Sequence, residues 1–306
     1  MIHSDRGAEI PRDLMLQSRS VSAIVMTIAL LAYSAANAAQ TASCTFSTFA
    51  APAGYTFSEV NGVSDDGTVV GQLVDNKTLQ FVSFSRSASG AFTVYSAPKS
   101  STTWLYGSSA TGVNAGSYED TGYPGRMHGF TLQGSQFTAV NYPKADNTWL
   151  FDVSQIGNAS GSYSASVSVT KGFMLVNGKY TTIAYPNALV TNAWAVNDNA
   201  EVVGSYASGA VSNGFAWQNG KFTTINDPGK KYGTALSGVN NSGVIVGNRL
   251  AADNAFGFVY ENGVFENIVY SGAKYAIAGG INNNGLISGQ IYLTASNSVG
   301  YTAVCE

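Results

Sequence analysis

The sequence has 306 residues, of which 11% are charged and 12% are aromatic, and its formal net charge at neutral pH is −3. This charge balance argues against a nucleic-acid-binding protein, which would present a basic stripe. Glycine, serine, asparagine, threonine, valine and tyrosine are abundant, whereas the strong helix formers glutamate, lysine and leucine are sparse. Such a composition favours short strands joined by tight turns.

The first segment has the pattern of a secretory signal peptide. Arg19 precedes an apolar run over residues 21–33, and the small residues Ala36-Asn37-Ala38 follow it. A basic flank, an apolar stretch and an Ala-x-Ala end are typical of export signals that are cut after the last alanine. We therefore expect residues 1–38 to be a signal peptide. Residues 39–306 would then be secreted to the periplasm, the cell surface or the medium.

Two alternatives concern this leader. An uncleaved membrane anchor would share the apolar run, although the run is short for a membrane span. Translation that starts at Met15 would remove an unusual stretch of mixed charge before the basic flank. After residue 38 no apolar segment reaches membrane-spanning length, so we expect no membrane span in the mature chain.

The remainder of the chain is a sixfold repeat. One phrase is an aromatic strand that ends in proline, as in Tyr180-Thr-Thr-Ile-Ala-Tyr-Pro186. A second phrase reads Val-Asn-Asn-Ser-Gly243 and then Ile-Val-Gly247, and a third is a glycine followed by an aromatic residue, as in Gly257-Phe258. The last glycine of the second phrase recurs every 42 to 45 residues, at Gly71, Gly116, Gly161, Gly204, Gly247 and Gly289.

Each repeat predicts four short strands, which we denote a to d. Asn-Gly or Asp-Gly turns between apolar runs indicate hairpins, because type I′ turns need positive φ. A four-stranded unit of this length that occurs six times predicts an all-β, six-bladed β-propeller over residues 39–306. A β-solenoid or a β-sandwich is the alternative.

The two ends predict how the ring closes. The chain begins with a d strand, Phe46 to Phe49, and stops after a c strand, Gly300 to Val304. Pairing the N-terminal strand with the last blade would complete that blade and cover an open edge. When the end repeats are aligned on the fifth, Cys44 and Cys305 fall beside each other in the c–d turn. We therefore predict a Cys44–Cys305 disulfide, which export permits; two free thiols are the alternative.

The repeated phrases resemble the HAF-repeat family of bacterial extracellular proteins. In that family an aromatic-Thr-Thr-Ile strand, a proline, a Gly-Ile-Asn-x-x-Gly-x-Ile-Val-Gly phrase and a His-Ala/Gly-Phe phrase recur. His128-Gly129-Phe130 matches the last phrase most closely, whereas the second and third repeats depart at Ser-Ser-Ala-Thr-Gly112 and Val-Ser-Gln-Ile-Gly157. The resemblance implies a secreted repeat protein and transfers no catalytic residue.

Strand alternation places the a–b and c–d turns on one face and the variable d–a and b–c loops on the other, where binding residues are expected. The longest b–c loop, residues 118–128, gathers acids, an arginine and a histidine. Two tryptophans share one slot in adjacent repeats, and tyrosines end the d strands. The predicted ligand-binding residues are Trp104, Trp149, Glu119, Asp120, Arg126, His128, Tyr142 and Tyr185. The alternatives are a solvated loop with a local ion pair, and packing between blades.

The sequence offers few candidate metal ligands. Asp65-Asp66, Asn197-Asp198 and Asn240-Asn241 place oxygen atoms in tight turns, as calcium would require, but such turns need these residues for backbone reasons alone. Zinc lacks ligands, because the mature chain has one histidine and the cysteines are paired. We expect no cofactor, with calcium as the alternative.

No catalytic constellation is visible. A serine triad lacks support around His128, although two acids among Glu59, Glu119, Asp120 and Asp152 would suffice for glycoside cleavage if they met. The sequence therefore predicts a secreted, monomeric, non-enzymatic binding module for a glycan, a peptide or a surface protein. A carbohydrate-active hydrolase or lyase and a structural cell-surface protein are the alternatives.

Overall fold

The computed structural model describes residues 40–165, 169–229, 231–252 and 254–306. Every regular element in these ranges is a β-strand, so the all-β prediction is confirmed. The predicted signal peptide, residues 1–38, lies outside the described residues. No helix long and apolar enough to cross a membrane is found in the described part of the chain.

The strands form six sheets of four, which are the blades, and one extra strand, β1 (Gln40–Thr41). Blade 1 contains β3 (Tyr55–Val63), β4 (Val69–Asp75), β5 (Phe81–Arg86) and β6 (Phe92–Tyr95). Blade 2 contains β7 (Ser100–Ser108), β8 (Val113–Asp120), β9 (Met127–Gln133) and β10 (Gln136–Ala139). Blade 3 contains β11 (Asn147–Val153), β12 (Ala159–Ser164), β13 (Lys171–Val176) and β14 (Lys179–Ile183). Blade 4 contains β15 (Val190–Val196), β16 (Val202–Ala207), β17 (Asn213–Gln218) and β18 (Lys221–Ile225). Blade 5 contains β19 (Gly233–Val239), β20 (Ile245–Leu250), β21 (Ala255–Glu261) and β22 (Val264–Asn267). Blade 6 contains β23 (Tyr275–Ile281), β24 (Leu286–Tyr292), β25 (Ser298–Cys305) and β2 (Cys44–Phe49).

Blade 6 closes the ring in the predicted way. The N-terminal strand β2 pairs antiparallel with β25, and Cys44 lies directly opposite Cys305. The two cysteines form a disulfide across 261 residues of sequence. Upstream, β1 pairs in parallel with β22 and adds a fifth strand to the outer edge of blade 5. The six-bladed propeller, its closure and its disulfide are therefore confirmed.

The recurring glycine of strand b makes room for the recurring aromatic ring of strand c. Gly161 faces Phe173 across the β12–β13 pair, and a Cβ built at Gly161 would lie 2.8 Å from Phe173 Cζ. In every blade a Cβ at this glycine would lie 2.6–3.1 Å from the strand-c ring and still closer to a backbone carbonyl oxygen of the inner strand. The six rings are all at most 1% exposed: Phe84, Phe130, Phe173, Phe215, Phe258 and Tyr301. Phe84, and not Phe81, therefore fills this slot in the first blade.

The aromatic residue that begins strand d completes each blade core. Its ring lies against the strand-c ring, as in the Phe173–Tyr180 pair, whose centroids are 5.4 Å apart. Such pairs contribute about 0.5–1.5 kcal/mol beyond the area that they bury. In blade 6 the pair is Phe46–Tyr301, at 5.3 Å, so the ring of the N-terminal strand packs like its five counterparts.

Each inner strand carries a register irregularity at the same level, as between Leu150 and Asp152 of β11. A bulge leaves one residue unpaired and redirects its side chain. The bulge residues lie ten positions before the strand-b glycine, and all six line the central channel: Asn61, Tyr106, Phe151, Trp194, Ser237 and Gly279. The repeated backbone thus presents six variable positions to one axis, five with a side chain and one with a glycine.

Candidate functional site

The central channel widens into a cavity of about 580 Å³ that is lined by all six inner strands. Asn248 and Leu250, at the end of β20, also line it. Because β20 leads into a b–c loop there, the cavity lies towards the face of the d–a and b–c loops. Its volume falls in the range of small-molecule sites, roughly 300–1,000 Å³.

One side of the cavity is an aromatic wall, formed by Tyr106, Phe151 and Trp194 from three consecutive blades. The Tyr106 and Phe151 centroids are 5.2 Å apart with nearly perpendicular rings, and the Phe151 and Trp194 centroids are 4.2 Å apart. Trp194 Nε1 donates a hydrogen bond to Ser205 Oγ at 3.0 Å, which fixes the indole. Blades 5 and 6 place Ser237 and Gly279 at the same level. The wall is therefore one-sided, and the free volume faces it.

Most polar groups around the cavity are held by the backbone. Asn248 pairs with both backbone groups of Ala278: its Nδ2 donates to the carbonyl at 2.8 Å and its Oδ1 accepts from the amide at 3.0 Å. Ser237 Oγ donates to the same carbonyl at 2.9 Å. Asn61 Nδ2 donates to the carbonyl of Leu105 at 3.0 Å. These hydrogen bonds fix the positions of the polar side chains around the cavity.

Glu59 is a carboxylate at the mouth of this cavity. Its side chain is exposed, yet it stands among the channel walls beside Tyr106. Desolvation by those walls raises the pKa of Glu59, and a hydrogen bond from Asn61 partly opposes the effect. The pKa of Tyr106 is raised in turn, by burial first and by the nearby Glu59 second. The site therefore places a carboxylate whose pKa is raised beside a neutral phenol.

The cavity narrows at a waist, one residue beyond the bulges. Five of the six waist residues are glycine or alanine: Gly62, Gly107, Ala195, Gly238 and Gly280. The inner strands nearly touch here, because a Cβ built at Gly238 would lie 3.0 Å from the Cα of Gly280. Blade 3 supplies Asp152 at this level, so one carboxylate occupies the constriction.

Asp152 is held in place by the backbone. Its Oδ2 accepts a hydrogen bond from the Val196 amide at 3.0 Å. Burial raises the pKa of Asp152 to about 6, and the hydrogen bonds from the Val196 and Val153 amides partly offset the burial. A carboxyl group with a pKa near neutrality can hold or release a proton under physiological conditions.

Beyond the waist, the a–b turns form a polar ring around a small cavity of about 40 Å³. Side-chain oxygens of one turn accept backbone amides of the preceding blade: Asn283 donates to Asp65 at 2.8 Å, Asn241 to Asn283 at 2.8 Å, and Asp198 to Asn241 at 2.9 Å. Ile156 donates to Asp198 at 3.1 Å, and Ala110 donates to Gln155 at 2.5 Å. Ala110 has no side-chain oxygen, so the ring is interrupted between blades 1 and 2.

This ring uses oxygens that the sequence offered to calcium, including those of Asp65, Asp198 and Asn241. They serve as hydrogen-bond acceptors for backbone amides of the preceding blade, a role between turns that was not predicted from the sequence. Within the described ranges, no three His, Cys, Asp or Glu side chains form a group that could hold a metal ion. The expectation of no cofactor stays a prediction, with calcium as its alternative.

The two predicted tryptophans have different positions. Trp104 lines the cavity, two residues before Tyr106 on β7. Trp149 occupies the same slot on β11 and is half-buried, but it is not among the residues that line the cavity.

The predicted b–c loop of blade 2 is organised by its own contacts. His128 Nε2 lies 3.7 Å from Asp120 Oδ2, and the His128 ring stacks on Tyr118. Glu119 accepts hydrogen bonds from Ser101 Oγ at 3.0 Å and from the Gly125 amide at 2.6 Å. The Arg126 guanidinium lies 5.8 Å from the centroid of the neighbouring Tyr123 ring. None of Glu119, Asp120, Arg126 and His128 lines the central cavity.

The predicted tyrosines connect adjacent blades. Tyr142, which follows blade 2, stacks on Tyr163 of blade 3 with centroids 3.6 Å apart, and its hydroxyl pairs with Thr182 at 2.7 Å. Tyr185 stacks on Tyr206 of blade 4 at 3.5 Å in the same manner. At the next junction the two positions hold Asp227 and Arg249, whose charged atoms are 3.7 Å apart. Tyr142 and Tyr185 thus fill a repeated packing slot between blades.

Sequence reasoning missed the aromatic wall and the waist. The available signal was the alignment on the strand-b glycine, which places Tyr106, Phe151 and Trp194 in one column ten residues before it. The bulges hid this column, because simple strand alternation assigns the inward direction to a neighbouring position.

No protein-family model and no curated protein sequence matches the chain. Among solved structures, streptogramin B lyase is 11% identical with a TM-score of 0.51, and the match covers 86% of this chain and 98% of that one. A mutant of the Aleuria aurantia lectin AAL in complex with Fucα1-6GlcNAc is 11% identical with a TM-score of 0.52, covering 82% and 93%. AofleA from Arthrobotrys oligospora is 10% identical with a TM-score of 0.54, covering 86% and 88%. At these identities the chain is similar to lectins and enzymes in its fold alone.

Proposed function

We propose that this protein is an exported binding propeller that holds a glycan segment in its central cavity. The observation that supports this proposal is the one-sided cavity, in which Tyr106, Phe151 and Trp194 face free volume. Aromatic faces offer large, rigid contact area to the apolar faces of sugar rings, and backbone-held amides such as Asn248 provide fixed polar partners. A lectin of this fold holds Fucα1-6GlcNAc, so the fold accommodates sugar ligands.

Export is supported by two independent features. The Cys44–Cys305 disulfide is typical of oxidising compartments outside the cytoplasm. The leader pattern before residue 39 and the resemblance to HAF-repeat proteins favour secretion from a bacterial cell. We further propose that the exported protein is a monomer, which light scattering after size exclusion tests directly.

The binding proposal is tested with a glycan array, followed by calorimetric titration of each hit. We expect Trp194→Leu to weaken binding at least tenfold, because it removes the largest ring of the aromatic wall. Tyr123→Ala is the matched control, since Tyr123 is an aromatic side chain that is 65% exposed in the b–c loop of blade 2. An array without hits, or equal losses in both variants with unchanged melting temperatures, contradicts the proposal.

A second candidate function is carbohydrate cleavage. Glu59 and Asp152 line the same cavity, and the pKa of each is raised, as general acids require. Incubation with the array hits, followed by chromatography of the products, tests it. Turnover that is lost in both Glu59→Gln and Asp152→Asn favours the enzyme, whereas binding without turnover favours the binding module.

A further inference from the structure

The described lining of the central cavity holds acidic side chains and no basic one. Among the described residues that line it, Glu59 and Asp152 are acids, and none is lysine, arginine or histidine. The ion pairs found in the described part of the chain are His128–Asp120 and Arg249–Asp227, which lie elsewhere. Within the described ranges, therefore, no basic side chain stands beside either carboxylate in the lining of the cavity.

This arrangement has an electrostatic cost. Both carboxylates are partly desolvated by the channel walls, and desolvation disfavours the charged form. Asp152, which is half-buried at the waist, is a charge of the kind that proteins ordinarily pair, whereas Glu59 is exposed at the mouth of the cavity. A ligand that brings a positive charge into the cavity would supply the missing partner, whereas a neutral ligand would leave the cost in place.

The aromatic rings point to the same ligand chemistry. Cations bind favourably over aromatic faces, and cages of such rings recognise ammonium groups. Elsewhere in this protein, internal cations already occupy ring faces: Arg86 lies 4.3 Å from the Phe49 centroid and Arg249 lies 5.4 Å from that of Phe256. No such internal cation is found over Trp104, Tyr106 or Trp194 in the described ranges, and these half-buried rings line the cavity, whereas Phe151 is only 6% exposed and packs against Trp194.

The two carboxylates lie at different depths. Glu59 is six residues before the a–b turn residue Asp65, and Asp152 is three residues before its counterpart Gln155. Because a bulge residue lies between these levels, they are two paired positions apart, which corresponds to about 7 Å along the axis. The acidic character therefore extends from the mouth to the waist, past the aromatic wall.

We propose that the ligand of the central cavity is an organic cation, whose ammonium group pairs with Glu59 and lies against the aromatic wall. The proposal rests on the proposed binding function and narrows it to glycans that carry free amino groups, such as glucosamine oligomers. An alkylammonium group, as in choline, has the same recognition chemistry and is the other source to distinguish.

The test is calorimetric titration of the whole exported protein at neutral pH with three probes: a glucosamine disaccharide, its neutral N-acetylated counterpart, and choline. We expect the glucosamine disaccharide to bind at least tenfold more tightly than the N-acetylated sugar. Glu59→Gln should weaken binding of the amino sugar at least tenfold without a change in melting temperature. Glu261→Gln is the matched control, because Glu261 is an exposed acid outside this cavity.

The outcomes separate this inference from the function on which it rests. Equal binding of the neutral and amino sugars overturns the cation proposal and leaves the glycan-binding function standing. Binding of choline without either sugar supports the cation and overturns the glycan version. If no probe and no arrayed glycan binds, both proposals fall. Equal loss in Glu59→Gln and Glu261→Gln also overturns the cation proposal, because it would reflect net charge alone.

Discussion

The ring of Phe173 and the backbone carbonyl oxygen of Trp149 together fill the space that a side chain on Gly161 would need. Gly161→Ala should therefore destabilise the protein by about 1–3 kcal/mol, because overpacking a tight core forces rings and backbone to shift. Urea unfolding followed by circular dichroism measures the change. Gly209→Ala is the matched control, since a Cβ at Gly209 would meet nothing within 4 Å. Equal stability of the two variants would contradict this account of the repeat.

The disulfide should dominate the stability of the closed ring. Replacing Cys44 and Cys305 with serine removes a link across 261 residues of chain, which corresponds to roughly 5 kcal/mol in the loop-entropy model. We expect a large fall in melting temperature, and the wild-type protein under reducing conditions should show the same fall. If the double-serine variant had the same melting temperature as the oxidised wild type, pairing of β2 with β25 would be enough to keep the ring closed without the disulfide.

Asp152 should give stability an unusual pH dependence. Folding raises the pKa of Asp152 from 3.8 to about 6, so the folded protein holds this proton more tightly than the unfolded chain. The contribution of this group is therefore most favourable below about pH 4 and declines as the pH rises to about 6. The side chain of Asp152→Asn cannot titrate. Between pH 4 and pH 7.5, the free energy of unfolding of this variant should therefore rise by about 1–3 kcal/mol relative to that of the wild type.

Melting curves of Asp152→Asn at several pH values check this prediction. Asp75→Asn is a control of opposite sign, because hydrogen bonds from the Thr78 and Lys77 amides lower the pKa of Asp75. The ionised carboxylate of Asp75 stabilises the folded state at pH values above its ordinary pKa. The stability of Asp75→Asn relative to the wild type should therefore fall as the pH rises. Parallel curves for Asp152→Asn and the wild type would be inconsistent with a buried, ionised Asp152.

The polar ring of a–b turns can be completed or broken by single substitutions. Ala110→Asn offers an acceptor to the amide of Asp65 and should stabilise the protein by about 0.5–1.5 kcal/mol. Asn241→Ala removes the acceptor of the Asp198 amide and should destabilise it by about 1–2 kcal/mol. Chemical denaturation compares the two variants with the wild type. A loss of stability in Ala110→Asn would mean that the interruption is required by the backbone.

The propeller could be predicted because its determinants are local and are repeated six times. A strand-b glycine and a strand-c aromatic residue, such as Gly247 and Phe258, recur in every blade. A copy that is hard to recognise can therefore be located from the spacing of the other five. The ring closure followed from one alignment, in which Cys44 and Cys305 fell into the same turn. These features depend on spacing, and spacing is visible in a sequence.

The cavity could not be predicted in the same way, because its residues differ from blade to blade and their direction depends on bulges. Trp104 and Trp149 share one column, yet only Trp104 is among the residues that line the cavity. Asp152 looks like any strand acid until the five small residues at its level are aligned with it. The side chains that give the axis its chemistry are the ones that differ from the repeat. A search for repeated phrases therefore does not find them.

The position of the cavity on the propeller axis has a consequence for valency. Six blades meet at one axis, so the axis offers a single site with one orientation, set by the wall of Tyr106, Phe151 and Trp194. Sites between neighbouring blades would instead recur around the ring. Titration of the axial site should therefore reach saturation at one ligand per chain, and a monomer of this kind would coat a ligand-bearing surface without agglutinating it.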